Sequence, residues 1–237
     1  MTPPPPTSKA YTLYTYYQST CANRVVIALH HKSLPFAHHY IDLRAAEHET
    51  AAFAALNPSR SLPVLVITDA TTGTETILTQ SVAILEYLEE AHPDRPALLP
   101  PLDAAPLHRA RVRELVNLIT NDIQPLSNGR IARRVRQIRD EVQDQLSFVQ
   151  EVNLAGLTAY ERLLERYGAD STYSVGDAVT LADVCLVPAV EMAVAYRTDL
   201  TALVRVRAVV ERLKALEAFR RGDWRRQGDT PGEVRVE

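Results

Sequence analysis

A hydroxyl pair and a thiol stand together near the start of the chain. Residues 19–24 read Ser-Thr-Cys-Ala-Asn-Arg, and they lie between a short β-like run and an apolar helix-like run. At such a junction the first backbone N–H groups of the helix have no partner within the helix, so they favour an anion. A thiolate is such an anion, whether it comes from Cys21 or from a bound cofactor. The junction is therefore a candidate site for sulfur chemistry. Alternatively, Ser19 and Thr20 simply cap the helix and Cys21 is a small buried residue.

The first ninety residues alternate strand-like and helix-like segments. Strand-like runs are expected at 11–15, 37–41, 63–67 and 75–78. Helical patterns are expected at 21–31, at 47–55 and from Gln80 onward. The order β-α-β followed by β-β-α predicts a small sheet that carries helices.

The composition changes after residue 91. Five prolines fall within residues 92–106, and because repeated prolines prevent regular structure, they predict a linker. The residues that follow show helical spacing almost throughout, and Thr180-Leu-Ala-Asp183 is typical of a capping box at a helix start. The predicted division is a disordered Pro-rich tail over 1–9, an α/β domain over 10–91, a linker over 92–106, an all-helical domain over 107–224, and a flexible tail over 225–237.

Charge and cysteine content argue against several classes of protein. The chain has 237 residues and a formal net charge of −3, which does not favour a nucleic-acid partner. Cys21 and Cys185 are too few for a disulfide framework or a zinc site, so no metal is expected and a reducing compartment fits. No apolar run approaches the ~20 residues that span a bilayer, and the first nine residues lack the apolar core of a signal peptide. We therefore expect no membrane association and a cytoplasmic location.

The segments and motifs together resemble one protein family. An α/β domain, a Pro-rich linker and an all-helical domain are similar to the cytosolic glutathione transferases. Residues 19–24 resemble the Ser-Ser-Cys-x-x-Arg motif of their zeta class, the maleylacetoacetate isomerase family. Further matches are Asn57-Pro58 with Leu62-Pro63-Val-Leu, residues 80–90 from Gln-Ser-Val onward, Ile123-Gln-Pro-Leu-x-Asn128, and residues 175–188 from Val-Gly-Asp onward. The resemblance implies an α/β thioredoxin-like N-terminal domain plus an all-α C-terminal domain.

The resemblance also implies a glutathione site in the first domain. Leu62, before a cis-Pro63, would pair its backbone with the cysteinyl part of glutathione, although Pro63 could be an ordinary trans proline at an edge strand. Gln80 and Ser81 would bind the γ-glutamyl group, and the same two residues could also cap a helix. His48 is a candidate for the glycyl end, although a lone His in a polar segment is more often simply exposed.

The thiolate is expected to be stabilised by Ser19, Thr20 or Cys21. A hydroxyl that donates a hydrogen bond to a thiolate favours the charged form and lowers the thiol pKa, as do N–H groups at a helix end. Which of the three residues leads stays open, because Thr20 stands where the family usually has a second Ser. Arg24, one helical turn further on, either adds positive field or pairs with an acidic side chain.

The implied activity is glutathione-dependent cis-trans isomerisation of maleylacetoacetate, in which a thiolate adds to the double bond and leaves after rotation. Gln124 and Asn128 resemble helical-domain contacts to glutathione or to this small carboxylate substrate. The chain departs from the family at Ala195, where zeta enzymes typically carry an arginine that faces the substrate carboxylate. Loss of a guanidinium that binds a carboxylate removes one of the stronger hydrogen-bonding contacts.

Three interpretations of function stay open. The first is an isomerase of phenylalanine and tyrosine catabolism. The second is a glutathione transferase or α-halo acid dehalogenase that acts on another electrophile, which Ala195 would suit. The third is a non-enzymatic binding protein of the same fold. The retention of the site residues argues against it, namely Ser19, Thr20, Cys21, Gln80 and Ser81. The resemblance also implies a homodimer.

Overall fold

The computed structural model describes residues 9–101, 106–167 and 171–236. These residues form two compact units. The first comprises residues up to Pro96 together with those from Glu217 onward, and the second is Ala97–Leu216. The predicted Pro-rich tail, apart from Lys9, and residues 102–105 of the predicted linker lie outside the described residues.

A four-stranded mixed sheet in the order β2-β1-β3-β4 forms the centre of the first unit. Its strands are β1 (Lys9–Thr15), β2 (Ala37–Tyr40), β3 (Val64–Asp69) and β4 (Glu75–Thr79). β1 pairs with β2 in parallel and with β3 antiparallel, and β3 pairs antiparallel with β4. The four strands that were expected along the chain are all present, whereas their order within the sheet was not predicted. The first four residues of β3 are buried because a central strand is covered on both faces, whereas all four residues of the edge strand β2 are exposed.

Helix α1 (Thr20–His31) connects β1 to β2, α2 (Ala51–Leu56) lies between β2 and β3, and α3 (Ser81–Ala91) follows β4. The single helix expected at 47–55 is instead a 3₁₀ helix followed by α2. Thr50 causes this break, because its backbone is extended and its side chain accepts a hydrogen bond from the N–H of Phe53 at 3.2 Å.

The C-terminal residues return to the first unit. Helix α10 (Glu217–Arg221) packs against α1, and Gly222 permits this approach, since a Cβ there would lie 2.4 Å from Ile27 Cγ1. Beyond α10, Gln227 and Thr230 are buried. The structure therefore corrects two predictions, an all-helical domain that extends to residue 224 and a loose tail from residue 225. No sequence pattern signals this return, because it depends on the shape of the α1 surface.

The second unit is helical in all its regular structure within the described residues, as predicted. Its elements are α4 (Pro106–Asn117), a π-helix (Leu118–Ile123), α5 (Gln124–Ser127), α6 (Gly129–Arg139), α7 (Val142–Tyr167), α8 (Leu181–Ala195) and α9 (Val204–Lys214). The π-helix was not predicted, because its spacing does not differ visibly from that of an α-helix over six residues. None of the helices within the described ranges is long and apolar enough to cross a membrane.

The predicted capping box at the start of α8 is confirmed. Asp183 is fully buried, and its carboxylate accepts from the N–H of Thr180 at 2.8 Å and from the N–H of Ser174 at 2.9 Å. Asp183 therefore has a structural role, since it satisfies backbone donors that would otherwise be buried without partners.

Candidate active site

Ser19 caps helix α1. Its backbone is extended, its Oγ accepts from the N–H of Ala22 at 3.2 Å, and its own N–H donates to the carbonyl of Tyr16 at 2.8 Å. Because the hydroxyl acts as an acceptor in the cap, its proton stays available to a further partner. The two interpretations of Ser19 are therefore compatible: it caps the helix, and it can donate to an anion at the helix start.

Thr20 and Cys21 form the beginning of α1, and both are partly exposed. Within the described part of the chain, neither the Thr20 hydroxyl nor the Cys21 thiol has a hydrogen-bond partner. Cys21 is therefore not the small buried residue that one interpretation expected. Cys185 is fully buried in α8, as predicted for a core residue.

A buried asparagine fixes the loop that precedes β3. Asn57 Nδ2 donates to the carbonyl of Ser61 at 2.6 Å, and Asn57 Oδ1 accepts from the N–H of Ser59 at 3.0 Å. The Leu62–Pro63 peptide bond is cis, as the resemblance implies. Among the described residues the N–H of Leu62 has no protein acceptor. An extended ligand backbone can therefore pair with it.

The start of α3 combines an unusual backbone with a buried cation. Gln80 has a φ of 68°, which is uncommon for a residue other than glycine, and its side chain makes no cap hydrogen bond. Ser81 is buried, and its Oγ accepts from Arg24 Nη1 at 3.2 Å. Arg24 thus pairs with a hydroxyl. Of its two expected roles, the pairing with an acidic side chain is wrong for the residues that the structure describes.

Two tyrosines directly before the motif were not assigned from sequence. The Tyr16 hydroxyl is buried without a partner among the described residues, and burial raises its pKa. The N–H of Tyr17 donates to Asp229 Oδ2 at 2.9 Å, and Arg44 donates to the Tyr17 hydroxyl at 2.6 Å. Burial also raises the pKa of Asp229. The position of Tyr16 and Tyr17 next to Ser19 was a usable signal, whereas Asp229, far along the chain, gave none.

The remaining predicted residues are His48, Gln124 and Asn128. His48 is in the 3₁₀ helix, its Nε2 is 3.8 Å from the Glu49 carboxylate, and its Nδ1 is buried without a partner among the described residues. Gln124 begins α5 in the second unit. Asn128 caps α6 by accepting from the N–H of Arg130 at 3.0 Å, so it has a structural role in that unit.

Donors to an anion are therefore concentrated around α1 in the first unit. Leu62 shares a core cluster with Ala22, and Arg24 connects α1 to Ser81 at the start of α3. The available groups are hydroxyl and backbone N–H donors together with one guanidinium. Such a set suits an anionic ligand with a peptide backbone.

Comparisons with known proteins find relatives that cover most of the chain. Models of the glutathione S-transferase N-terminal and C-terminal domains match residues 18–91 and 139–220. A maleylacetoacetate isomerase of Emericella nidulans is 40% identical over 226 residues, which cover 94% of this chain and 96% of that protein.

Solved structures of similar fold come from the same group of proteins. The holo structure of a maleyl pyruvate isomerase, described as a bacterial zeta-class glutathione S-transferase, has a TM-score of 0.84 and 38% identity, covering 93% of this chain and 100% of that one. A maleylacetoacetate isomerase from Anaeromyxobacter dehalogenans with bound glutathione has a TM-score of 0.83 and 37% identity, covering 95% and 100%. The resemblance and the fold class drawn from the motifs are confirmed. The chain belongs to the glutathione S-transferase family, in its zeta class with the maleylacetoacetate isomerases.

Proposed function

We propose that the protein is a glutathione-dependent isomerase that converts maleylacetoacetate to fumarylacetoacetate in phenylalanine and tyrosine catabolism. One observation supports this activity above all: Ser19 caps α1 through its oxygen and keeps its hydroxyl proton available at the helix start. A thiolate placed there would gain a hydrogen bond and the favourable field of the helix N-terminus.

Glutathione fits the residues of the first unit. The free N–H of Leu62 suits its peptide backbone, and Gln80 and Ser81 at the start of α3 suit the γ-glutamyl carboxylate. Ser19, Thr20 and Cys21 suit the thiol. We assign weaker roles to His48, Gln124 and Asn128. For Asn128 the reason is that its amide is already engaged in a helix cap.

When bound, glutathione supplies a thiol whose reversible addition to the maleyl double bond permits rotation to the trans isomer. The chain's contribution is electrostatic and positional. The Ser19 hydroxyl and the unpaired N–H groups of the first turn of α1 favour the charged form of a sulfur. The Thr20 hydroxyl is a second donor at the same helix start. Because addition and departure of the sulfur leave no net change in oxidation state, the reaction needs no redox partner.

One residue, Ala195, favours a second candidate for the substrate. Ala195, at the exposed end of α8, offers no charge to a substrate carboxylate. This position favours, as a second candidate, a zeta-like glutathione S-transferase or α-halo acid dehalogenase with a different electrophile. On the basis of the family alone, we also propose a homodimer in the cytoplasm.

The test is an assay of glutathione-dependent formation of fumarylacetoacetate, in which chromatography separates and quantifies substrate and product. The wild type is compared with a variant that carries Ser19→Ala, Thr20→Ala and Cys21→Ala, and S-methylglutathione, which lacks the free thiol, serves as the cofactor control. We expect turnover that the triple substitution and the S-methyl cofactor both abolish. A wild type that binds glutathione but converts no maleylacetoacetate would contradict the isomerase assignment, and maleylpyruvate and α-halo acids would be the next substrates to examine.

A further inference from the structure

Arg24 is a buried cation whose charge has no counter-ion in the described part of the chain. Its side chain is 1% exposed, and Nε and Nη2 have no hydrogen-bond partner among the described residues. Nη1 makes a single bond, to Ser81 Oγ at 3.2 Å. No carboxylate of the described residues forms an ion pair with Arg24.

This arrangement is unfavourable for the fold by itself. Removing a guanidinium from water costs free energy that a single neutral hydroxyl does not restore, and buried charges in proteins are normally paired. The buried Lys32 of the same unit shows the usual solution, since its Nζ lies 2.7 Å from the Glu89 carboxylate. Arg24 therefore differs from Lys32, because no carboxylate of the described residues pairs with it.

The single contact of Arg24 points toward the start of α3. Because Ser81 Oγ accepts from Arg24 Nη1, the Ser81 hydroxyl proton is directed to another acceptor. The N–H groups of the first turn of α3 have no partner within the helix, and the Gln80 side chain does not cap them. A buried cation, a directed hydroxyl and free N–H groups thus coincide at one helix start.

The geometry points to Arg24 as the positioning residue and long-range counter-charge for the γ-glutamyl carboxylate of glutathione, acting through Ser81. This inference rests on the proposed function and adds a residue and a role to it. The carboxylate contacts Ser81 and the α3 N–H groups, and its charge compensates the guanidinium behind them. Arg24 therefore lowers the stability of the free protein and raises its affinity for the ligand.

Two properties are measured on the full-length chain to test this role. Calorimetry gives the affinity of the wild type and of Arg24→Met for glutathione and for 4-aminobutyryl-cysteinylglycine, which lacks only the γ-glutamyl carboxylate. Glutathione amidated at its glycyl carboxylate is the matched ligand control. Thermal unfolding without ligand gives the second property, and Arg24→Lys tests whether charge alone restores binding.

We expect Arg24→Met to weaken the binding of glutathione and of its glycyl amide by roughly tenfold or more, because the γ-glutamyl carboxylate loses the positive charge behind Ser81. Binding of the 4-aminobutyryl analogue should be the same in wild type and variant. Without ligand, the variant should melt at or above the temperature of the wild type, because an unpaired buried charge has been removed. Arg24→Lys should recover part of the glutathione affinity.

Three results would overturn the inference while leaving the proposed function intact. These are equal losses for glutathione and the 4-aminobutyryl analogue, unchanged affinity for both, and an Arg24→Met protein that melts lower or does not fold, since each would make Arg24 a packing residue. A wild type that binds no glutathione would instead contradict the proposed function itself.

Discussion

At the scale of single residues, Ser19 combines two roles that are usually considered alternatives. Its oxygen satisfies the N–H of Ala22, and its proton is free for a ligand. A substitution can separate the two roles, since Asn is as good a cap as Ser but carries no hydroxyl.

Ser19→Ala should lower the free energy of unfolding by about 1 kcal/mol, the usual cost of a lost cap. It should also lower kcat/KM for isomerisation roughly 10- to 100-fold, as expected for one hydrogen bond to a charged group. Ser19→Asn should keep the stability and show the same loss of activity as Ser19→Ala. Urea unfolding and steady-state kinetics measure the two effects, and an active Ser19→Asn protein would mean that the cap alone matters.

The lowered pKa of His30 makes the stability of the first unit depend on pH. Burial, followed by the charges of Arg221 and His38, lowers the pKa of His30 to about 4, with Glu217 opposing the shift. The unfolded chain binds this proton more tightly than the folded one, because the ordinary His pKa is about 6.5. Stability should therefore fall as the pH drops from about 6.5 toward about 4.

His30→Gln should flatten this part of the stability profile, as measured by thermal unfolding across that pH range. His108→Gln, at an exposed position in α4, is the matched control. An unchanged slope in His30→Gln would exclude His30 as the source of acid sensitivity.

At the scale of secondary-structure elements, a close approach between α7 and the π-helix organises part of the second unit. A Cβ at Gly156 would lie 2.2 Å from Ile123 Cγ1 and 3.5 Å from Ile123 Cβ. Gly is ordinarily the poorer residue within a helix, by about 1 kcal/mol relative to Ala. Its presence in the middle of α7 therefore reflects this contact.

Gly156→Ala should lower the free energy of unfolding by roughly 1–3 kcal/mol through overpacking. The loss should disappear in an Ile123→Ala background, because only the Cβ at ordinary contact distance remains. Denaturant unfolding of the four proteins in this cycle measures the coupling. Gly129→Ala, where an added Cβ meets nothing within 4 Å, is the control. Additive effects of the two substitutions would contradict the proposed contact.

At the scale of the whole molecule, sequence patterns predicted what depends on local order along the chain. The strands, the first helix, the helical second half and the box at Asp183 follow from periodicity and end signals. The motifs also gave the candidate glutathione-site residues, whose roles stay predictions. Contacts between distant segments were missed, because the bond between Tyr17 and Asp229 and the bond between Arg24 and Ser81 leave no periodic trace.

The return of the C-terminal residues to the first unit gives a prediction for the whole chain. Deleting residues 227–237 removes the Asp229 carboxylate and leaves the N–H of Tyr17 without its acceptor. An unsatisfied buried donor costs about 1–3 kcal/mol, and this one lies two residues before Ser19. Thermal unfolding and glutathione calorimetry should show lower stability and weaker binding, and Asp229→Ala in the full-length chain should reproduce part of both. Unchanged binding in the shortened chain would mean that the loop before Ser19 is held without it.

The proposed isomerase activity requires that the start of α1 converts a bound thiol into a thiolate. The most direct measurement is a titration of glutathione bound to the wild type, which follows the ultraviolet absorbance of the thiolate against the S-methylglutathione complex as baseline. We predict that the bound thiol titrates clearly below the ordinary thiol value of about 8.5. Bound glutathione that titrates at the same pH as free glutathione would contradict this account.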